Sequence, residues 1–139
     1  MARLRLGQAY VQKRMFPEAI AELREALALS GGSPNVMGAL GHAYAVSGQR
    51  DEAMKVLGDL RVLSERRYVS PFAIALVYTG LGDKDQAFAW LRKSAEERSG
   101  LLFLAGVLPE LDSLRSDPRF GDLLRQIGLP QQTSRRASR

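Results

Sequence analysis

The sequence predicts an all-α protein: a right-handed α-solenoid of about three helical hairpins, closed by C-terminal capping helices. Three observations predict it. A residue pattern returns every 34 positions, apolar residues within each copy are spaced by three and four, and short turns marked by glycine or proline interrupt the apolar runs.

The period is read from residue identity. Leu6, Gly7 and Tyr10 return as Leu40, Gly41 and Tyr44 and again as Ile74, Ala75 and Tyr78, without insertion. The same shift carries Ala19 to Ala53 to Ala87, and Leu23 to Leu57 to Leu91. Tyrosine occurs only four times in the chain and three of the four fall in phase, so composition alone does not produce the match.

Each copy divides into two helices. The turns within the copies run over Lys13 to Phe16, Ser47 to Arg50 and Leu81 to Lys84, and Gly48 and Gly82 provide C-terminal caps that accept positive φ. Ser33 before Pro34 and Ser70 before Pro71 pair an N-cap hydroxyl with a first-turn proline. Asp83, with Gln86 three residues on, has the spacing of a capping box. The repeated small residues have a steric reason: Gly7, Gly41 and Ala75 are small where the helices of a hairpin cross, and Ala19, Ala53 and Ala87 let the second helix come close. One hairpin cannot bury its apolar face alone, so the copies must stack.

After the third copy, Leu101, Leu102, Phe103 and Leu104, then Leu108 to Leu114, lead to a last helix opened by Ser116, Asp117 and Pro118. Its apolar face is Phe120, Leu123, Leu124 and Ile127, and Gly128, Leu129 and Pro130 read as a Schellman ending. A terminal helix of this kind covers the exposed end of a solenoid. The expected organisation is three units at about 1–33, 34–67 and 68–99, a helical cap at 100–129, and a disordered basic tail at 130–139.

Composition excludes several chemistries. Without cysteine there are no disulfides, thiolate metal sites or cysteine nucleophiles, and a reducing, cytoplasmic location is permitted. The net charge of +5 resides largely in Arg135, Arg136 and Arg139; the remaining 17 bases face 15 acids, so no specific nucleic-acid binding is expected. The apolar runs are far shorter than the roughly 20 residues of a membrane span. His42 is the sole histidine, Ser30-Gly31-Gly32-Ser33 lacks the lysine of a phosphate-binding loop, and Gly80-Leu81-Gly82 lacks the third glycine of a dinucleotide fingerprint. Glu96 and Glu97 point about 100° apart on a helix, which does not pair them for acid–base work. No catalytic residue, metal site or cofactor is expected.

Over Leu4 to about Arg98 this pattern of leucine, glycine, tyrosine, alanine and a later apolar position resembles the tetratricopeptide repeat. The chain departs from that pattern at the early tryptophan, here Arg3 and Met37, and at the missing closing proline. The stretch from Leu114 to Pro130 is similar to the closing segment of repeat regions in large bacterial regulators that carry winged-helix, cyclase, kinase or TolB-like domains. That similarity implies a C-terminal piece of a longer signalling protein or its descendant.

The resemblance implies a concave groove lined by the first helices, which places Leu4, Gln8, Val11, Asn35, Gly38, His42, Phe72, Leu76 and Thr79 on its inner wall. It implies a non-enzymatic scaffold that takes an apolar peptide or amphipathic helix there. The wall lacks the lysine, asparagine and arginine clamp of chaperone-binding relatives, so chaperone tails are not the expected ligand. Two further readings follow from the same pattern: the groove is filled by the protein's own segment around Leu101 to Leu108, or the repeat ends stack between chains as a homodimer.

Overall fold

The computed structural model describes residues 2–97 and 109–126. Seven α-helices and one 3-10 helix make up the described residues, with no strand among them. They run α1 Ala2–Gln12, α2 Phe16–Leu29, α3 Pro34–Val46, α4 Arg50–Ser64, α5 Pro71–Leu81, α6 Lys84–Glu96, the 3-10 helix Pro109–Leu114 and α7 Pro118–Gln126. The pairs α1/α2, α3/α4 and α5/α6 form three hairpins; α3 packs back on α2, and α5 on α3 and α4.

One backbone device turns every hairpin. The carbonyl of the repeat tyrosine accepts the amide N–H five residues on: Met15 to Tyr10 at 2.9 Å, Gln49 to Tyr44 at 2.8 Å and Asp83 to Tyr78 at 3.1 Å. This is the 6→1 bond of a Schellman ending, which requires a left-handed residue. Gly48 and Gly82 supply it with φ of 89° and 81°. In the first unit Arg14 takes the place of glycine, with φ of 62°, and its guanidinium lies 5.6 Å from the centre of the Phe16 ring. The capping side chains divide. Ser70 accepts from the Phe72 amide and Asp83 from the Gln86 amide, whereas Ser33 makes no side-chain cap; its own amide N–H donates to Ser30 Oγ.

The repeated small residues set the spacing. Ala19, Ala53 and Ala87 are wholly buried, as are Leu23 and Leu91. At Gly7 a Cβ would stand 2.6 Å from Leu23 Cγ across the first hairpin. At Gly41 it would meet Val77 Cγ2 at 2.7 Å and Val56 Cγ1 at 3.0 Å, so this glycine admits both its own hairpin partner and the next unit. The closest packing joins α3 to α5: a Cβ on Gly38 would fall 2.7 Å from the Ala73 carbonyl oxygen, and one on Gly80 2.9 Å from Ala45 Cβ. Neither helix carries a charged residue. A helix apolar all round belongs in an interior, and α5 is buried continuously from Pro71 to Thr79. Leu4 occupies the position of Gly38 in the first unit, and α1 meets α3 far less closely.

The closing segment keeps the period. The second helices begin at Phe16, Arg50 and Lys84, and α7 begins at Pro118, each 34 residues after the last. Asp117 caps α7, accepting from the Arg119 amide at 2.9 Å, as Asp83 caps α6. In the 3-10 helix, Leu111 and Leu114 are in phase with Val77 and Gly80, and both are wholly buried; the 3-10 helix packs on α5 and α7 packs on α6. The exposed face of α7 has rotated relative to the earlier second helices: Phe120 and Leu123 are buried, while Gly121, in phase with Ala87, is only half-buried. The expected apolar face is therefore present at Phe120 and Leu123; the Leu124 side chain, Ile127, the Schellman ending, Leu101 to Leu108 and the tail lie outside the described residues. Arg119 fastens α7, reaching Asp85 of α6 at 2.8 Å and Asp117 through two bonds, with its guanidinium 4.7 Å from the Phe88 ring centre. Those bonds to Arg119 draw the Asp117 carboxyl down to a pKa of about 2.

Two glycine substitutions separate packing from propensity. Gly58 of α4 has nothing within 4 Å of an added Cβ, so Gly58→Ala is expected to raise the unfolding free energy by about 0.5–1 kcal/mol. Gly38→Ala drives a methyl into backbone and is expected to lower it by about 1–3 kcal/mol in the same urea titration. Ser94 of α6 is wholly buried and its hydroxyl has no partner among the described residues, where the earlier units hold Ala26 and Leu60. Ser94→Ala removes an unsatisfied group and is expected to stabilise by about 1 kcal/mol; a loss of stability would show that the hydroxyl is bonded.

Candidate protein-interaction surface

The residues expected on one inner wall are distributed over three environments. Leu4 and Gln8 of α1 are half-buried and Asn35 at the start of α3 is exposed, so these three are reachable. Val11 is buried within the first hairpin's share of the core. Gly38 and His42 are buried where α3 meets α5, with the His42 ring Cδ2 3.1 Å from where a Cβ on Gly80 would lie. Phe72, Leu76 and Thr79 are buried on α5, and Thr79 Oγ1 donates to the Ala75 carbonyl at 2.8 Å.

The positions expected on one wall thus differ in exposure, those of α5 being buried and Leu4 and Gln8 of α1 reachable. The stripe of Phe72 and Leu76 belongs to the same core as Leu111 and Leu114, on the helix against which the 3-10 helix packs. Gly38 is closed for a different reason: its missing side chain is what allows Ala73 to touch α3. The segment Leu101 to Leu108, expected as a self-ligand, is outside the described residues.

His42 was expected to orient a groove ligand. It makes no hydrogen bond within the described residues, and burial pushes its pKa from 6.5 down to about 4. No charged side chain of α3 or α5 offers the ring a compensating partner, so the imidazole is held neutral. Among the described residues no group of three histidine, cysteine or acidic side chains could hold a metal ion. No helix among them is long and apolar enough to cross a membrane.

A second concavity lies between the first two hairpins, with a volume of about 580 Å³. Phe16, Pro17, Ile20 and Arg24 of α2 line one side; Tyr44 of α3, Gln49, and Glu52 and Lys55 of α4 complete it. The sequence signal for it was available in the i, i+4, i+8 spacing of Phe16, Ile20 and Arg24, but an amphipathic stripe of that kind looks the same whether it packs or lines a cleft.

The buried His42 sets an acid limit on stability. Its native pKa lies below its unfolded value, so the native state binds fewer protons; stability is complete above pH 6.5 and falls as pH drops from 6.5 toward 4. The slope attributable to one proton is at most about 1.4 kcal/mol per pH unit. His42→Leu is expected to flatten the dependence of unfolding free energy on pH across that window; an unchanged slope in urea titrations would refute the assignment.

Comparison with known proteins agrees with this architecture. Two family models, each described as Tetratricopeptide repeat, match residues 10–62 and 72–99, together more than half of the chain. No curated protein and no solved structure matches it. The 34-residue period, the three hairpins with their shared tyrosine-carbonyl turn, and these two matches establish that the chain belongs to the tetratricopeptide-repeat family.

Proposed function

We propose that this chain is a partner-binding module that takes an apolar peptide or amphipathic helix on the inner side of its first two units, at Leu4, Gln8 and Asn35. Tetratricopeptide repeats generally mediate protein–protein interaction and are typically non-catalytic. The observation that carries the finer reading is the contrast between α5, enclosed from Pro71 to Thr79, and α1, on which, among the described side chains of residues 3–12, only Gly7 and Val11 are buried. Recognition on the third unit would require stripping the 3-10 helix from α5; recognition on α1 requires no rearrangement.

An apolar ligand face laid over this surface gains on the order of 25 cal/mol per Å² before association costs. The lone histidine, held neutral in the interior, is consistent with a scaffold rather than an enzyme. A second reading is self-association through α1. It is favoured by Leu6, 43% exposed on that helix. In either case the module would serve a larger cytoplasmic regulatory or assembly system, as the similarity of its closing segment to bacterial regulators implies.

The test is affinity capture with wild-type, Leu4→Glu and Leu6→Glu chains whose helicity has been checked. Partners retained by wild type and lost with Leu4→Glu support the inner-side reading; identical captures from both overturn it. A mass that rises with concentration in light scattering, and is reduced to that of one chain by Leu6→Glu, would favour self-association.

A further inference from the structure

We propose that the cleft between the first two hairpins binds a small monoanionic organic acid, with the acid group held by Arg24 and Lys55 and the apolar body lying on Phe16 and Ile20. The cleft belongs to α2 and α4 and is separate from the α1 surface proposed above for partners.

Size comes first. About 580 Å³ falls within the range of roughly 300–1,000 Å³ that small-molecule sites occupy. The chemistry of the lining then selects the ligand. Arg24 and Lys55 both line the cleft, and neither forms an ion pair or hydrogen bond within the described residues, whereas Arg3, Arg119 and Arg125 all do. Two cations against Glu52 leave one surplus positive charge, which suits a single carboxylate and disfavours a dianion. Tyr44 also lines the cleft, and its hydroxyl makes no hydrogen bond among the described residues, so it can donate to the acid.

The next junction of the array provides an internal control. One period on, Arg24 and Lys55 become Gly58 and Ala89, Phe16 becomes Arg50, and the tyrosine is already engaged: Arg61 donates to Tyr78 Oη at 3.1 Å. The position equivalent to Arg61 in the first unit is Leu27, which cannot make that bond. Stacking of hairpins therefore needs neither the paired cations nor the free phenol. Both are confined to the first junction, where Phe16, Pro17 and Ile20 line the same cleft.

Phenylbutyrate and its neutral amide, phenylbutyramide, are the probes, followed by NMR titration of the full chain. Phenylbutyrate is expected to bind saturably, shifting the signals of Ile20 and Tyr44, and the amide to bind about tenfold or more weakly because it forgoes the charge-assisted bonds. Arg24→Gln combined with Lys55→Gln, both at exposed positions, is expected to weaken phenylbutyrate about tenfold or more while leaving the helical signal unchanged. Ile20→Trp, which fills the floor, is expected to weaken both probes. Equal affinity for acid and amide, shifts that map away from the cleft, or no saturation by about 10 mM, the limit of a useful weak site, would each overturn the proposal.

Discussion

The contact of α3 with α5 is the constraint on which the remaining structure depends. Gly38 against Ala73, Gly41 against Val77 and Gly80 against Ala45 bring two uncharged helices to backbone distance. At that separation dispersion and area burial are large, and a charged side chain without a partner would be costly. Three consequences follow. His42 must remain neutral, α5 becomes the centre of the molecule instead of one wall of a groove, and its far side needs a cover, which the 3-10 helix with Leu111 and Leu114 provides.

Repetition is carried by the backbone as much as by side chains. The same tyrosine carbonyl closes each hairpin, and the second helices keep a common phase as far as α7. Side chains vary within that frame. Arg14 accepts a left-handed conformation that glycine adopts twice elsewhere, and it gains a ring contact in exchange. Leu4, Gly38 and Phe72 share one repeat position yet play three roles: an accessible side chain, a gap that admits a neighbouring helix, and a core residue.

That divergence explains what could and could not be read in advance. The period and the buried alanine and leucine positions are local properties, visible as residue identities 34 apart. The accessibility of the inner wall is different. Phe72 and Leu76 have the identity of ligand-facing residues, yet both are buried in the core that also holds Leu111 and Leu114. The phase of the cap was concealed for a related reason: Pro109, Asp112 and Gly121 replace the glycine, tyrosine and alanine of the signature, so identity fails where geometry persists. The cleft at the first junction was hidden because an amphipathic stripe does not announce whether a neighbour fills the space above it.

The substitution of Leu4 for glycine has a consequence for how this array breathes. In a one-dimensional stack, cooperativity passes only through nearest-neighbour interfaces, and of the two junctions between hairpins the first, where α1 and α2 meet α3, is the looser. The first hairpin is thus an independent opening unit, able to undock while the second and third remain locked, and its amide protons should exchange by sub-global excursions instead of whole-molecule unfolding. Any molecule that contacts both sides of that junction acts as a clamp on the mobile end, converting binding energy into order along the chain.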